Sequence, residues 1–232
     1  MKKSPHKAVI FLGFDSSVHS GTSHAPLAGA GGAAIQRAVT EALAAGLKEL
    51  IFVTADSRTP VEAQLGDCGR GKAERVVIAR QFAARSLGQA LCDVRHLLGE
   101  EPFVVLLPEE MAAGGNTGGD EETTAQVVSA YDDVGGNLVT VGDEWLLRRD
   151  GRFAAIAGAP AGRYLLQPAV LDALEDNAEL GLAGALLVLA EAWPVPALVA
   201  TSAAALHPRV PVSEAPTVRA PRPVDLLAAA GD

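Results

Sequence analysis

The sequence predicts a protein of the α/β class, built on a mainly parallel central sheet. Apolar runs of strand length alternate along the chain with segments of helical periodicity, which is the pattern of parallel strands joined by crossover helices. The first run, at residues 7–12, is continuously apolar after its lysine rather than alternating, as expected of a strand that is buried on both faces. We therefore expect helices on both sides of the sheet.

Four strands are predicted in the first half of the chain, each from a short apolar run bounded by turn residues. They lie at residues 7–12, 49–54, 75–79 and 102–107. Residues 33–46 are predicted to form a helix, because Ile35, Val39 and Leu43 fall on one stripe and Gly46 stands where a helix C-terminus favours glycine. A short helix at residues 60–65 begins with proline, and a longer helix at residues 86–98 ends before a glycine.

The pattern changes after Pro108, which is predicted to end the fourth strand. Residues 112–120 are rich in glycine, and residues 121–134 have the periodicity of an amphipathic helix. Short strands at residues 137–141 and 145–148 are predicted to form a hairpin. The remaining predicted elements are a strand at residues 163–166, helices at 168–176 and 179–191, and a last strand at 197–200.

These elements divide the chain into a domain of residues 1–200 and a tail of residues 201–232. The tail contains prolines at positions 208, 211, 216, 221 and 223, which are too closely spaced for a helix or a central strand. We expect the tail to wrap the surface or to be mobile, with at most a helical turn at residues 224–230.

Composition and charge exclude several classes of protein. With 49% hydrophobic residues and a mean hydropathy of +0.21, the chain of 232 residues is too apolar to be disordered. Its formal net charge of -9 argues against a nucleic-acid partner. The apolar stretch at residues 180–193 contains Glu191 and is shorter than the ~20 residues of a membrane helix, so no membrane contact is expected. Two cysteines are too few for a disulfide framework, which favours a cytoplasmic location.

Ligands of open α/β sheets bind beyond the carboxyl ends of the strands, so three loops are candidate sites. They are residues 13–32, 54–58 and 108–111. The first loop is rich in Gly, Ser and His and leads into a helix, so it either offers backbone N–H groups to an anion or is a solvated connection. It contains neither a G-x-G-x-x-G nor a P-loop pattern, and the chain has no G-x-S-x-G motif.

Two carboxylates, Glu109 and Glu110, directly follow the predicted fourth strand. Carboxylate oxygens at this edge of a sheet suit a hard cation such as Mg²⁺ together with the phosphates that it binds. The alternative is a solvated acidic turn.

Several segments, in the same order along the chain, resemble bacterial UTP:glucose-1-phosphate uridylyltransferases. The matching segments are residues 7–10, 35–36, 41–54, 80–81, 87–88, 99–109 and 162–166. The resemblance implies a three-layer α/β/α Rossmann-like nucleotidyltransferase fold. It also implies a reaction in which the phosphate of glucose 1-phosphate attacks the α-phosphate of UTP and diphosphate leaves, with Mg²⁺ neutralising the charge.

The resemblance also assigns site residues one position at a time. The metal-binding carboxylate of the family falls on Glu109, where it is a glutamate instead of an aspartate, and the glutamine that reads the uracil ring falls on Gln81. The glycine that lies close to the base is replaced by Ser86. The resulting assignment is Leu12, Gly13, Gln81 and Ser86 to the nucleotide, Gly162 to the sugar and Glu109 to the metal.

Other positions depart from the family pattern. Its G-x-G-T-R loop is replaced by Gly-Phe-Asp-Ser-Ser at residues 13–17, and its Glu-Lys-Pro triplet has no counterpart in residues 154–161, which contain no acid and no base. A late metal-binding aspartate is missing from residues 180–189. Each lost cation removes a charge-assisted contact to phosphate, so activity is expected to be weak or lost.

Two functions therefore remain open: a sugar-1-phosphate uridylyltransferase with weak activity, and a pseudoenzyme. The pseudoenzyme would bind a sugar nucleotide, or would regulate or partner an active transferase in polysaccharide synthesis. Family segments are also missing between residues 55 and 73 and after Met111, which would leave apolar surface uncovered. We therefore expect a homo-oligomer or a partner protein.

Overall fold

A computed structural model describes residues 3–12, 31–54, 71–81, 87–113, 122–134, 138–141, 160–176, 182, 185 and 198–200. The strands in these ranges are β1 (Lys7–Leu12), β2 (Glu49–Thr54), β3 (Arg75–Arg80), β4 (Phe103–Leu106), β5 (Leu138–Val141), β6 (Pro160–Leu166) and β7 (Leu198–Ala200). The helices are α1 (Gly31–Ala44), α2 (Leu87–Asp93), α3 (Arg95–Leu98), α4 (Pro108–Ala113), α5 (Glu122–Val134) and α6 (Ala169–Asp176). The predicted helix at 60–65, the predicted strand at 145–148, most of the predicted helix at 179–191 and the tail lie outside the described residues.

The strands form one mainly parallel sheet in the order β3-β2-β1-β4-β6-β5-β7. β1 pairs in parallel with β2 and β4, and β2 pairs in parallel with β3. β6 runs antiparallel to both of its neighbours, β4 and β5, while β5 and β7 are parallel. Because β6 runs against the other strands, its first residues lie at the edge where β1 to β4 end.

Helices cover both faces of this sheet, and β1 contributes alternate residues to each side. Ile10 and Leu12 pack in one cluster with residues of α1, α4 and α5. Val9 and Phe11 pack in a second cluster with residues of α2, α3 and α6. Burial on both faces is the reason that the strands read as continuous apolar runs. The predicted three-layer α/β/α architecture is confirmed.

Three predictions about single elements differ from the structure. The helix expected at residues 86–98 is divided at Val94 into α2 and α3, although neither glycine nor proline marks the break. Pro108 does not lead into a loop but begins α4. β5 is paired with β6 on one side and with β7 on the other, so neither side of it is open for the predicted hairpin with residues 145–148. Among the helices of the described residues, none has the length and apolar character of a membrane span.

Candidate functional site

One edge of the sheet collects the ends of four strands and the beginning of a fifth. Leu12 ends β1 and lies opposite Thr54, which ends β2, and Thr54 in turn lies opposite Arg80 at the end of β3. Gly162 of the antiparallel β6 accepts a hydrogen bond at its carbonyl oxygen from the N–H of Leu107, the residue after β4 (2.8 Å). This carboxyl edge is where α/β proteins of this kind bind ligands.

Gln81 follows β3 and is fixed at this edge by two hydrogen bonds. Its backbone N–H donates to the carbonyl oxygen of Thr54 (2.9 Å), and its side-chain Nε2 donates to the carbonyl oxygen of Ala90 in α2 (2.8 Å). The residue is only 7% exposed, and its Oε1 is buried without a hydrogen bond from any described residue. Since a buried amide oxygen without a donor costs free energy, Oε1 is an acceptor that an N–H group of a ligand would satisfy.

Of the three further residues predicted for the nucleotide site, the structure describes only Leu12. Leu12 stands at the predicted edge, but its side chain is buried in the core, so only its backbone could contact a ligand. Gly13 and Ser86 lie outside the described residues.

Glu109 and Glu110 stand in the first turn of the six-residue helix α4 and not in a loop. Pro108 takes an early helical position, where its missing N–H costs nothing and its fixed φ angle favours the helix. Carboxylates in a first turn face the unpaired N–H groups of the helix, which stabilises their negative charge. Both side chains are half-buried.

Gly162 packs against this first turn so closely that no other residue fits. Its φ is +72°, and a Cβ atom there would lie 2.6 Å from the carbonyl oxygen of Leu107 and 2.9 Å from the backbone nitrogen of Met111. Both obstructing atoms belong to the backbone and cannot rotate away. The close packing of β6 on α4 therefore requires glycine at position 162. The assignment of Gly162 to the sugar stays a prediction.

Tyr164 adds a second contact between β6 and α4. Its hydroxyl donates to Oε2 of Glu110 at 3.4 Å, and its ring is buried in the cluster formed with α2, α3 and α6. The two glutamates thus differ in surroundings, since Glu110 is directed toward β6.

A buried ion pair joins Glu41 of α1 to Arg163 of β6, and the sequence did not predict it. The guanidinium donates from Nε to Oε2 (2.7 Å) and from one terminal nitrogen to Oε1 (2.6 Å) of the carboxylate. The Thr124 hydroxyl of α5 donates to Oε2 (2.7 Å), and Arg37 Nε lies 3.3 Å from Oε1. Glu41 is completely buried and Arg163 is 5% exposed. The available signal was a charged residue at a core-facing position in each of two apolar elements.

Arg80 brings a positive charge to the same edge, beside Gln81. It is the last residue of β3 and is exposed. In the sequence it stood out only as part of the resemblance, because its place at this edge depends on the strand order, which puts β3 beside β2.

The residues present at this edge suit a magnesium ion only with help from a ligand. Within the described residues, no group of three His, Cys, Asp or Glu side chains is placed to hold a metal ion. Glu109 and Glu110 supply hard carboxylate oxygens, and Mg²⁺ is commonly bound by one or two carboxylates together with substrate phosphates and water. The donor set therefore fits a metal that arrives with phosphates, rather than one held by the protein alone.

The strand order, the single antiparallel strand β6 and the carboxyl-edge cluster define a Rossmann-like α/β fold of the kind found in sugar nucleotidyltransferases of known structure. A UDP-glucose pyrophosphorylase complexed with UDP-glucose superposes with a TM-score of 0.60 at 19% identity, covering 85% of this chain and 91% of that chain. The UTP-bound enzyme of the same kind from Acinetobacter baumannii gives a TM-score of 0.59 at 20% identity, covering 86% of each chain.

A protein assigned as a glucose-1-phosphate thymidylyltransferase, from Bacillus anthracis in complex with a sucrose, has a TM-score of 0.60 at 14% identity, with 85% of this chain and 87% of that chain covered. No protein-family model matches the chain. The likeness confirms the predicted nucleotidyltransferase fold.

Proposed function

We propose that this protein is a sugar nucleotidyltransferase-like protein that binds a uridine nucleotide or a nucleotide sugar at the carboxyl edge of its sheet. The observation that carries the proposal is the buried Oε1 of Gln81, an acceptor without a donor among the described residues, at the same edge as the carboxylates of α4. Structures with this fold hold UDP-glucose and UTP, which is consistent with the same class of ligand here.

The base would be read by Gln81. The amide is held by Ala90, whose carbonyl oxygen can only accept, so Nε2 faces the protein and Oε1 is left for the ligand. Uracil carries an N–H group between its two carbonyl groups, whereas cytosine has an acceptor nitrogen at that position. Oε1 would therefore pair with uracil and face an acceptor in cytosine, an unpaired contact that discriminates strongly between the bases.

The phosphates would lie between Gln81 and Glu109. Glu109 would hold Mg²⁺ there, and the ion would neutralise phosphate charge when it is bound. Arg80 at the end of β3 is a cation on the same edge. The sugar would lie toward β6, beside Gly162.

We infer that turnover is weak or absent. In the family reaction, an oxygen of glucose 1-phosphate forms a bond to the α-phosphorus of UTP, and the bond from that phosphorus to the bridging oxygen breaks as diphosphate leaves. Catalysis of this transfer is mostly electrostatic, and residues 13–30 contain no lysine or arginine. Loss of a single such donor typically costs about 100- to 1000-fold in rate.

Calorimetric titration with UTP, UDP-glucose and CTP, with and without Mg²⁺, tests the binding proposal. We expect binding of both uridine ligands, strengthened by Mg²⁺ for UTP, and weaker binding of CTP. The Gln81→Leu variant should lose the preference for UTP over CTP, whereas an Arg75→Gln variant at the opposite end of β3 should keep it. If neither UTP nor UDP-glucose binds at millimolar concentration, the proposal is wrong.

A turnover assay separates the two possible roles. The rate at which UDP-glucose forms from UTP and glucose 1-phosphate, measured by chromatography, distinguishes a weak transferase from a pseudoenzyme. We expect turnover to be several orders of magnitude below the ordinary enzyme range of about 1 to 1000 per second. Turnover within that range contradicts the interpretation that the missing cations matter.

A further inference from the structure

We propose that Arg163 is a positioning residue, whose buried ion pair with Glu41 holds Gly162 and the first turn of α4 in the arrangement that the sugar end of a nucleotide sugar requires. The inference rests on the proposed function and adds to it a determinant of sugar binding that does not itself contact the ligand.

The ion pair fixes the backbone of β6 from one side. Two short hydrogen bonds, 2.7 Å and 2.6 Å, join the guanidinium of Arg163 to the two oxygens of Glu41. A two-point contact between planar groups sets orientation as well as distance. Glu41 is held in turn by the Thr124 hydroxyl at 2.7 Å, so three elements, α1, α5 and β6, meet at one carboxylate.

Gly162 transmits this position to α4. It precedes Arg163 in the chain, its carbonyl oxygen accepts the N–H of Leu107 at 2.8 Å, and its α-carbon lies against the backbone of Met111. The backbone of α4 lies so close to Gly162 that even a Cβ atom would come within 3 Å of Leu107 O and Met111 N. Because no free space separates the two elements, a small displacement of β6 would move the first turn of α4. That turn carries Glu109.

A buried ion pair is a costly means of holding two elements together if stability alone is required. Burying both charges costs free energy that their attraction only partly returns, and apolar residues of similar size often stabilise a core equally well. What apolar packing does not supply is the fixed orientation of a bidentate pair. The arrangement therefore points to a requirement for position at Gly162.

The base-reading end of the site is remote from this device. Gln81 follows β3, and β3 is separated from β6 by β2, β1 and β4. At the usual strand spacing, the two ends are about 19 Å apart. Loss of the pair should therefore affect the sugar end of a bound ligand more than the base.

The test compares UDP-glucose with UMP, which lacks the glucose and the phosphate attached to it, in three variants. Arg163→Met removes the charge, Arg163→Lys keeps the charge but not the two-point contact, and the double variant Glu41→Leu/Arg163→Met replaces the pair by apolar groups. In the double variant we expect affinity for UDP-glucose to fall at least about tenfold, affinity for UMP to change less than about twofold, and the fold to be kept. Compared with Arg163→Met, the Arg163→Lys variant should regain more of the wild-type melting temperature than of the wild-type affinity for UDP-glucose.

Equal losses for UDP-glucose and UMP, or no loss for either, would overturn the proposal and leave the pair a structural one. A second readout does not need a ligand. In the double variant, amide hydrogen exchange at Leu107 should accelerate at least about tenfold relative to the amide of Gln81, since both amides are hydrogen-bonded at opposite ends of the edge. Equal acceleration at both amides would contradict the positioning role.

The two proposals fail in distinguishable ways. If the wild-type chain binds neither UDP-glucose nor UMP, the proposed function is wrong. In that case, faster amide exchange at Leu107 than at Gln81 in the double variant would still support the inference that the ion pair fixes the position of Gly162. Equal acceleration at both amides would overturn that inference.

Discussion

Gly162 occupies a position where two separate physical requirements exclude a side chain. Its φ of +72° is in the left-handed region, and a Cβ would meet backbone atoms at 2.6 and 2.9 Å. For Gly162→Ala we expect a loss of roughly 1–2 kcal/mol from the backbone conformation and a further 1–3 kcal/mol from overpacking. Denaturant unfolding measures the sum.

Gly46 offers a matched control for this substitution. Its φ is +79°, and apart from its two neighbours in the chain no residue has an atom within 4 Å of where its Cβ would be, so Gly46→Ala carries only the backbone cost of roughly 1–2 kcal/mol. Equal losses in the two variants would show that β6 can shift away from α4 at little cost.

Glu109 is the residue on which metal-dependent binding depends in the proposed function. Glu109→Gln keeps the shape of the side chain and removes its charge, so the strengthening of UTP binding by Mg²⁺ should fall while the fold survives. Glu110→Gln is the comparison on the same turn, and it should weaken the effect of Mg²⁺ less, because Oε2 of Glu110 already accepts a hydrogen bond from Tyr164. If Mg²⁺ strengthens UTP binding by Glu109→Gln as much as in the wild type, and the melting temperature is unchanged, Glu109 has no role in metal binding.

How far the sequence could predict the site differs from residue to residue. Gln81 and Glu109 could be proposed from the sequence because each stands at or shortly after the end of a predicted strand and each has a counterpart in a family motif. The pair of Glu41 and Arg163 could not be found in the same way, since its partners are 122 positions apart and meet only through the strand order. A charged residue on an apolar stripe indicates that a partner is needed, but it does not say which residue the partner is.

At the scale of elements, strands were predicted more accurately than helix boundaries. The observed bounds of β1 and β2, Lys7–Leu12 and Glu49–Thr54, are those predicted, because each strand is buried along its whole apolar run. α4 was missed because a proline after a strand is equally compatible with a loop and with a helix start. The choice between them is made by tertiary contacts, namely Met111 in the core and Gly162 against the turn.

The end of α3 depends on a lysine from another element. Lys7 of β1 donates from Nζ to the carbonyl oxygens of Leu97 (2.8 Å) and Leu98 (2.9 Å), which have no partner within so short a helix. Lys7→Met should lower the free energy of unfolding by about 1 kcal/mol. Lys48→Met is the control, because the exposed pair of Lys48 with Glu74 should contribute little. A larger effect at Lys48 would contradict this ranking.

Cys92 reports on the packing of α2, the helix that holds Gln81. Burial raises the pKa of its thiol, with a further contribution from the charge of Glu175. The thiolate is the reactive form, so alkylation of Cys92 in a Cys68→Ser variant should be slower at neutral pH than that of a free thiol. The rate should continue to rise at pH values above the ordinary thiol pKa. A rate that levels off at or below the ordinary pKa would indicate that the helix opens readily.

At the scale of the whole molecule, the proposed function assigns two tasks to opposite ends of one sheet edge. β3 and α2 hold Gln81, which is proposed to read the base, while β6 and α4 hold Gly162 and Glu109, which are proposed for the sugar and the metal. The central strands β2, β1 and β4 between them are buried on both faces, so they fix the distance between the two ends. This rigidity is what would allow a nucleotide sugar to be recognised at both ends by groups that share no contact.

The association state of the chain follows from how its apolar surface is covered. In the described sheet, β3 stands at one end of the strand order, and Val76 on it is 42% exposed. An apolar strand at a sheet edge favours pairing with another chain unless it is covered. We expect light scattering to give a mass of at least twice the 23.8 kDa of one chain, and Val76→Lys to lower it. A variant truncated after Ala200 tests whether the proline-rich residues provide the cover instead, in which case truncation should increase association. A monomer in all three proteins, with no loss of solubility on truncation, would show that neither cover is needed.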